Sequence, residues 1–403
     1  MARPHVAAVI EDAVFRRVEH VLRRRGWHNR AIGHTGYGTP SATSQEPREN
    51  SEWVRVLGRV LLARPQDRTD KPAGDHAAAS EEELEEAENL QRGWRAFLTA
   101  PAIDVPVTVR VGRRVVHTRT DRQGYVDVTV SRHGLPEGWH DVTIEADNAP
   151  RSRGQVQVIG SQVRRGLVSD IDDTVMVTRL PRPLIAAYNT FVRRAGSRRV
   201  VPGMAELYRE LLSEHPGAPV FYLSTGAWNS APTLVRFLRR HDYPAGPLLL
   251  TDWGPTNTGW FRSGVQHKRE ALHRLAREFP HVRWVLVGDD GQHDPTTYGD
   301  FASERPDRVA AIAIRQLTPQ EQVLSHGLPV PNEELAAAGP WHRHDTRELG
   351  AAVPVVRAPD GHGLLRLLAW HGIARPAPLG DGAGPAPGAP AGWRQARDVP
   401  SRG

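Results

Sequence analysis

Residues 166–174 read Gly166-Leu-Val-Ser-Asp170-Ile-Asp172-Asp173-Thr174. An apolar segment, typical of a buried strand, leads directly into two carboxylates spaced one residue apart. Because residues i and i+2 of an extended backbone point the same way, Asp170 and Asp172 are directed together beyond the carboxyl end of that strand. Two such carboxylates suit a bound cation, or a nucleophile that works beside a general acid.

The same residue types suit two other kinds of structure. An acidic turn that only caps a helix would need the same residue types, and this alternative stays open on the segment alone. A calcium loop of the EF-hand type needs Gly at its sixth position and Glu at its twelfth. This chain has Val175 and Pro181 at those positions, which argues against a calcium loop.

Composition limits the classes of protein that the chain can represent. At 403 residues, with 39% hydrophobic residues, the chain is long enough for two domains and a sizeable core. It has no apolar run of about 18 residues, so no transmembrane helix is expected, and its first residues lack the apolar segment of a signal peptide. The absence of cysteine excludes disulfides and thiolate metal sites and agrees with a cytoplasmic location.

The net charge of the chain is mildly positive. Its 52 basic and 46 acidic residues give a formal charge of +6, which leaves room for local basic faces that attract anionic partners. Nucleic-acid binding is not expected, since neither a recognised motif nor a large basic excess is present.

Four regions are predicted along the chain. Residues 1–50 contain an amphipathic helix over 4–25, with an apolar stripe and an arginine-rich face, followed by a Gly/Ser/Thr/Pro-rich loop over 26–50. Residues 51–160 contain five short segments of period-two alternation, which predict a small β-sandwich. Residues 161–374 alternate between strands and helices. Residues 375–403 are rich in Pro, Gly and Ala and are predicted to be disordered.

The alternation after residue 160 predicts an α/β domain with a parallel sheet covered on both faces. Strands are expected at Arg165–Ser169, Pro219–Ser224, Pro247–Thr251, Arg283–Gly288, Val309–Ile314 and Val353–Arg357, and helices around 184–195, 203–214, 230–240, 267–278 and 363–371.

Polar residues follow several of these strands. In an open parallel sheet, ligands bind beyond the carboxyl ends of the strands, so residues at those ends should meet. Besides Asp170 and Asp172, the residues expected there are Ser224, Thr225, Gly226, Asp289, Asp290 and Asp294, with Lys268 near the start of a helix. Each signal is weak alone, and their joint occurrence in this order is the strong one.

Lysine is rare in this chain. Only Lys71 and Lys268 occur among the 52 basic residues. A lysine retained against this bias is expected where arginine cannot replace it, for example where a compact ammonium fits between a phosphate and a carboxylate.

The ordered set Asp170/Asp172, Ser224 or Thr225, Lys268 and Asp289/Asp294 resembles the four motifs of the haloacid dehalogenase superfamily. Within it, longer strings resemble phosphatidate phosphatases of the actin-patch-protein type: 168–175, 222–228, 264–268 and 287–298. The chain departs from that pattern with Gly-Asp-Asp-Gly where Gly-Asp-Ser-Gly is more usual. The departure leaves open whether Asp289 or Asp290 contacts the metal.

The resemblance implies a fold, a cofactor and a reaction. The implied fold is a parallel-sheet, Rossmann-like haloacid-dehalogenase core with little or no cap. The implied cofactor is Mg²⁺, with Asp170, Asp172 (through its backbone carbonyl), Asp289, Asp290 and Asp294 as candidate ligands. Asp170 would be the nucleophile that forms an aspartyl phosphate, Asp172 the general acid and base, and Ser224 and Lys268 the groups that contact the transferring phosphoryl group.

The resemblance also implies a substrate. The expected activity is Mg²⁺-dependent hydrolysis of phosphatidic acid, an anionic phospholipid at a membrane surface, to diacylglycerol. Thr225, Gly226 and Arg262 are the expected substrate contacts, and aromatic residues beside Arg262 suit an anionic lipid interface, with peripheral docking at the inner membrane face as an option. The alternatives are the same chemistry on a soluble phosphomonoester and, less favoured, an inactive lipid- or protein-binding module.

Overall fold

The fold is seen in a computed structural model that describes residues 17, 19–40, 52–63, 100–177, 199–251, 264–291, 293–319, 321–322 and 353–375. The chain divides into two compact units between Ser161 and Gln162. Several predicted features lie outside the described residues: most of the helix over 4–25, the helix around 184–195, Arg262 with its aromatic neighbours, and the tail after residue 375. Residues 19–24 of the first of these are helical. Within the described parts, no helix is both long and apolar enough to cross a membrane.

The first unit contains a seven-stranded sheet. Its strands are β1 (His28–Thr39), β2 (Trp53–Ala63), β3 (Pro106–Val111), β4 (Arg114–Arg119), β5 (Tyr125–Ser131), β6 (Gly138–Ala146) and β7 (Ser152–Val158). They are ordered β4-β3-β6-β7-β1-β2-β5, and all neighbours are antiparallel except β1 and β7. The edge strands β4 and β5 contact each other, so the mixed sheet is nearly barrel-shaped.

This sheet corrects the predicted fold class. A parallel-sheet, Rossmann-like haloacid-dehalogenase core preceded by a small β-sandwich was wrong as a description of the chain, because the largest sheet is mixed and nearly closed. Alternating strands have one buried face, but alternation does not tell whether that face packs on a second sheet or on the same sheet curled round. Here the inward side chains of one curled sheet, such as Val56, Val109 and Ile144, pack together.

The predicted loop over 26–50 was also wrong for β1. Its glycines suggested a loop, but two of them allow close contact between strands. A Cβ on Gly36 would lie 2.2 Å from the carbonyl oxygen of Arg55, and one on Gly38 would lie 2.1 Å from that of Trp53. Glycine is therefore needed at these positions of β1 because the neighbouring strand packs closely against them.

The second unit contains a six-stranded sheet ordered β12-β11-β8-β13-β14-β15, with every neighbouring pair parallel. Its strands are β8 (Arg165–Ser169), β11 (Val220–Ala227), β12 (Leu248–Thr251), β13 (Arg283–Asp289), β14 (Val309–Arg315) and β15 (Val355–Ala358). A short pair, β9 (Met176–Val177) and β10 (Arg199–Val200), lies apart from it.

The described residues of this unit include the helices α1 (Met204–Ser213), α2 (Ala231–Arg240), α3 (Gly264–Glu278), α4 (Asp294–Glu304) and α5 (Gly361–Trp370). The prediction did not include α4. Its first residues, Asp-Pro-Thr-Thr-Tyr-Gly, resemble a turn, although Pro at the first helical positions is favourable. Parallel pairing places the carboxyl ends of β8, β11, β13 and β14 at one edge, where the candidate site lies.

Candidate active site

The centre of the candidate site is a buried lysine held by two aspartates. Lys268, in the second turn of α3, places its Nζ 2.7 Å from Oδ1 of Asp170 and 2.5 Å from Oδ1 of Asp294. The three side chains are at most 5% exposed. The structure thus brings together the end of β8, the helix α3 and the first residue of α4, as the motif order predicted.

A third carboxylate completes this cluster. Asp289 ends β13 and is fully buried. Its Oδ1 accepts a hydrogen bond from the backbone N–H of Gly291 at 2.7 Å. One carboxylate oxygen from each of Asp170, Asp289 and Asp294 lies within 4.8 Å of the others. We call these three side chains the carboxylate cluster.

The electrostatics of the carboxylate cluster favour a bound cation. With all three carboxyl groups ionised, one ammonium would leave two negative charges uncompensated in a buried place. Burial, with repulsion from Asp294 and Asp170, raises the pKa of Asp289 well above its ordinary value. Burial acts to lower the pKa of Lys268, but the neighbouring carboxylates of Asp170 and Asp294 raise this pKa by more than burial lowers it. The pKa therefore lies above its usual range, and the ammonium is charged. A divalent cation would remove this excess negative charge.

The donor atoms also fit a hard divalent cation. Among the described residues, Oδ2 of Asp294 is buried and has no hydrogen-bond partner. An unpaired buried carboxylate oxygen is costly unless a cation or water satisfies it. Carboxylate oxygens are the ligands that Mg²⁺ and Ca²⁺ prefer. Asp170, Asp289 and Asp294 are therefore the residues that could hold a divalent ion.

Gly288 makes the approach of Asp294 possible. A Cβ on Gly288 would lie 2.5 Å from Oδ2 of Asp294 and 2.8 Å from the Cβ of that residue. Any side chain at position 288 would therefore push α4 and the carboxylate of Asp294 away from the strand end. The glycine of the Gly-Asp pair thus has a packing role in the site.

Ser224, which lies within β11, contacts Asp172, the second aspartate after β8. Ser224 is fully buried and donates a hydrogen bond from Oγ to Oδ2 of Asp172 at 3.1 Å. The N–H of Gly226 donates to the same Oγ at 2.9 Å. Asp172 is half-buried and its side chain is not part of the carboxylate cluster. The pairing of Asp172 with Ser224 leaves Asp170 as the carboxylate that faces Lys268.

Thr225 lies against the first residue of α3. A Cβ on Gly264 would lie 2.5 Å from Cγ2 of Thr225, so the helix start packs directly on this threonine. The carbonyl oxygens of Thr225 and Gly226 accept hydrogen bonds from Oγ1 of Thr251, at 2.7 and 3.2 Å. These bonds fix the end of β11, which carries the predicted substrate contacts Thr225 and Gly226.

Asp290 points away from the carboxylate cluster. Its Oδ1 accepts a hydrogen bond from the backbone N–H of Leu317 at 2.8 Å, and its own N–H donates to the carbonyl oxygen of Arg315 at 3.0 Å. The geometry therefore favours Asp289 over Asp290 as a metal contact.

Two residues near the site were not predicted from the sequence. Thr174 is fully buried, with Oγ1 3.4 Å from Oδ2 of Asp289. Arg315 ends β14 and donates from Nη1 to the carbonyl oxygen of Asp173 at 2.6 Å. The signal for Arg315 was available, since an arginine ends the otherwise apolar segment Val-Ala-Ala-Ile-Ala-Ile at the same edge of the sheet.

Comparison with known proteins gives a match over the second unit. Residues 165–316 match the family described as "Phosphatidate phosphatase APP1, catalytic domain". Phosphatidate phosphatase APP1 of Saccharomyces cerevisiae is 27% identical over 266 residues, which cover 62% of this chain and 44% of the yeast protein. An uncharacterized protein of Schizosaccharomyces pombe is 28% identical over 160 residues, 38% of this chain and 25% of that protein. The chain thus spans less than half the length of these curated relatives.

Similarity to solved structures is low in the following case. A carbohydrate acetylesterase from Xanthomonas citri, for example, has a TM-score of 0.21 and 10% sequence identity, over 59% of this chain and 70% of that protein. The family match, in contrast, covers β8 through β14 and hence the whole carboxylate cluster with Lys268 and Ser224. It agrees with the resemblance drawn from the motifs: residues 165–316 of this chain are similar to the catalytic domains of the phosphatidate phosphatase APP1 family.

Proposed function

We propose that the chain is a Mg²⁺-dependent phosphatidate phosphatase, which hydrolyses phosphatidic acid to diacylglycerol and inorganic phosphate. The observation that carries this proposal is the buried ammonium of Lys268 between Asp170 and Asp294, with Asp289 in the same cluster. A phosphomonoester carries up to two negative charges, so its approach to a carboxylate nucleophile requires positive charge nearby. The match of residues 165–316 to the catalytic domain of phosphatidate phosphatase APP1 supports phosphatidate as the substrate.

In the proposed reaction, Asp170 attacks phosphorus and forms an acyl-phosphate bond while the bond from phosphorus to the glycerol oxygen breaks. Asp172 gives its proton to that leaving oxygen, which departs as the alcohol of diacylglycerol. Asp172 then takes a proton from a water molecule that attacks the phosphorus of the aspartyl phosphate. This second step releases inorganic phosphate and restores both carboxyl groups.

The surroundings of the two aspartates suit these roles. Asp170 is 3% exposed and is held by Lys268, which favours a fixed nucleophile. Asp172 is half-buried and therefore accessible to a leaving group and to water. The hydrogen bond from Ser224 keeps the carboxyl group of Asp172 in one orientation. Lys268 would stabilise negative charge on both Asp170 and the transferring phosphoryl group.

Asp170, Asp289 and Asp294 would hold the metal ion. Mg²⁺ suits three carboxylate oxygens, and it would supply screening of the charge between the nucleophile and the phosphoryl oxygens. The substrate side of the site is formed by Thr225 and Gly226, which follow Ser224 at the end of β11.

The experiment that tests this proposal compares substrates. Purified protein with Mg²⁺ is offered phosphatidate in mixed micelles and a panel of soluble sugar and nucleotide phosphomonoesters, and release of phosphate is measured. Asp170→Asn is the inactive control. Asp307→Asn is the matched control, since Asp307 is exposed and pairs only with Arg305 and Arg308 among the described residues.

Each outcome of this assay separates the candidate functions. A preference for phosphatidate that is lost in Asp170→Asn and kept in Asp307→Asn supports the proposal. A preference for a soluble phosphomonoester would leave the chemistry intact and replace the substrate. Absence of turnover with every compound would favour an inactive binding module.

A further inference from the structure

Arg315 occupies an unusual place for an arginine. It is the last residue of β14, is only 4% exposed, and is the parallel register partner of Asp289 on β13. Partners on neighbouring parallel strands present their side chains to the same face. The proposed reaction assigns Arg315 no step, although it lies beside one of the three residues of the carboxylate cluster.

The guanidinium of Arg315 connects three segments of the chain. Nη1 donates to the carbonyl oxygen of Asp173 at 2.6 Å. Nη2 donates to both carboxylate oxygens of Glu321, at 2.8 and 2.9 Å. Nε donates to the carbonyl oxygen of Pro359 at 3.3 Å. The fixed planar arrangement of its donors lets arginine hold all three acceptors at once, which lysine cannot do.

The carbonyl that Arg315 holds belongs to a strained turn. Asp173 has a φ of 58°, in the left-handed region that non-glycine residues rarely adopt. The turn is closed by hydrogen bonds from the N–H of Asp173 to the carbonyl of Met176 and from that of Val175 to the carbonyl of Ile171, at 2.8 and 2.9 Å. Such a conformation persists only where its surroundings enforce it. Asp172, the proposed general acid, lies within this turn, directly before Asp173.

The side chain of Glu321, which binds the guanidinium of Arg315, is itself held by hydrogen bonds. The carboxylate of Glu321 accepts hydrogen bonds from the N–H and Oγ1 of Thr318, at 2.9 and 3.0 Å, besides those from Arg315. Burial acts to raise the pKa of Glu321, but the bonds from Arg315 and Thr318 lower it below its ordinary value, so the pair is charged. The backbone of Arg315 and Leu317 is bound in turn to Asp290, next to Asp289. Arg315 thus links the turn that contains Asp172 to the loop that follows Asp289.

We propose that Arg315 is a positioning residue. It is anchored on Glu321 and holds the carbonyl of Asp173, and thereby orients the carboxyl group of Asp172 for proton transfer. This inference rests on the proposed phosphatase function. It concerns the backbone of the turn, which the guanidinium contacts through the carbonyl oxygen of Asp173. Glu321 lies beyond the matched segment 165–316, so the anchor is a feature of this chain outside that match.

The test measures the turn and the reaction separately, in Arg315→Gln and in the double variant Arg315→Gln/Glu321→Gln. The double variant removes both charges and avoids leaving a buried carboxylate unpaired, which guards against simple misfolding. The matched control is Arg269→Gln, which removes an exposed ion pair with Glu304. Hydrogen exchange of the amides of Asp173 and Val175 reports on the turn whether or not the protein is active. Phosphatidate turnover reports on kcat and KM.

In both variants we expect exchange of these two amides to be faster by about tenfold or more, with the strands of the sheet still protected. We expect kcat to fall by about tenfold or more and KM to stay within about twofold, because substrate contacts are untouched while proton transfer is misaligned. Arg269→Gln should change neither quantity. Arg315→Lys, which keeps a charge and one donor group, should recover part of kcat.

Unchanged exchange of the turn amides would overturn the inference directly. Faster exchange with wild-type kcat would overturn the positioning role, as would a rise in KM at constant kcat. A wild-type protein that turns over no phosphomonoester would remove the proposed function, and the role in proton transfer with it. Because exchange is measured independently, that outcome is distinguishable from a failure of the Arg315 contact.

Discussion

The Nζ of Lys268 lies 2.7 Å from Oδ1 of Asp170, and both side chains are almost completely excluded from solvent. The same Nζ is 2.5 Å from Oδ1 of Asp294. An ammonium of this size fits between two carboxylates, whereas a planar guanidinium would have to displace at least one of them. This geometry gives a structural reason why position 268 has a lysine in a chain whose basic residues are almost all arginine.

We therefore expect Lys268→Arg to lower kcat by about 100-fold or more, because the charge remains but its placement against Asp170 and the phosphoryl group is lost. The measurement is phosphatidate turnover. Arg269→Lys is the matched control, since it makes a conservative exchange at the next residue, in an exposed ion pair with Glu304. Nearly wild-type activity in Lys268→Arg would show that the size of the cation is unimportant.

Metal binding should distinguish the two adjacent aspartates at the end of β13. Asp289 belongs to the carboxylate cluster, whereas the side chain of Asp290 accepts the N–H of Leu317. A ligand that binds only the folded protein raises its thermal midpoint. We expect Mg²⁺ to raise the midpoint of the wild type and of Asp290→Asn, and to leave that of Asp289→Asn unchanged.

Removal of the metal provides the matching activity test. Treatment with EDTA should abolish phosphatidate hydrolysis, and addition of excess Mg²⁺ should restore it, because the carboxylate cluster alone repels a phosphomonoester. Activity that survives exhaustive chelation would contradict a metal-dependent reaction.

If Asp290→Asn rather than Asp289→Asn lost the thermal response to Mg²⁺, the assignment of the metal contact would be reversed.

The elements around the site were predicted from the sequence more fully than those of the first unit. Apolar segments followed by polar residues located β8 at Arg165–Ser169 as observed, and the ends of β11 and β13 to within a few residues. Buried parallel strands have this strong local signal. The strand β1 and the curled sheet had no comparable signal, because close packing at Gly36 and Gly38 depends on distant strands.

The composition of the site was predictable, but its finer geometry was not. The order of motifs along the chain indicated that Asp170, Lys268, Asp289 and Asp294 would meet. The sequence could not separate Asp289 from Asp290, because the direction of each side chain depends on the hydrogen bond to Leu317. The contact between Arg315 and the carbonyl of Asp173 joins residues 142 positions apart, and no local pattern indicates such a backbone contact.

Gly288 should be sensitive to the smallest possible substitution. A Cβ there would lie 2.5 Å from Oδ2 of Asp294, so Gly288→Ala must move the carboxylate that holds Lys268. We expect a loss of about 1–3 kcal/mol in the free energy of unfolding, measured with urea, together with a fall in kcat. Gly154→Ala is the control, because its nearest contact would be a side-chain atom of Val142 at 3.2 Å. Equal effects at both positions would argue against a special role for Gly288.

The stability of the protein should depend on pH through a histidine of the first unit. His34 lies on β1 diagonally across from Arg59 on β2, and burial of its ring, aided by Arg59, lowers its pKa to about 4. An unfolded histidine has a pKa of about 6.5. Between these values the unfolded chain binds more protons, so the contribution of His34 is complete above about pH 6.5 and is lost as the pH falls toward 4, by about 3 kcal/mol at most. Urea unfolding of the wild type and of His34→Gln at a series of pH values isolates this contribution, since all other titrating groups are shared. The wild type should lose stability more steeply than the variant across this range, and parallel curves would mean that His34 titrates alike in the folded and unfolded chains.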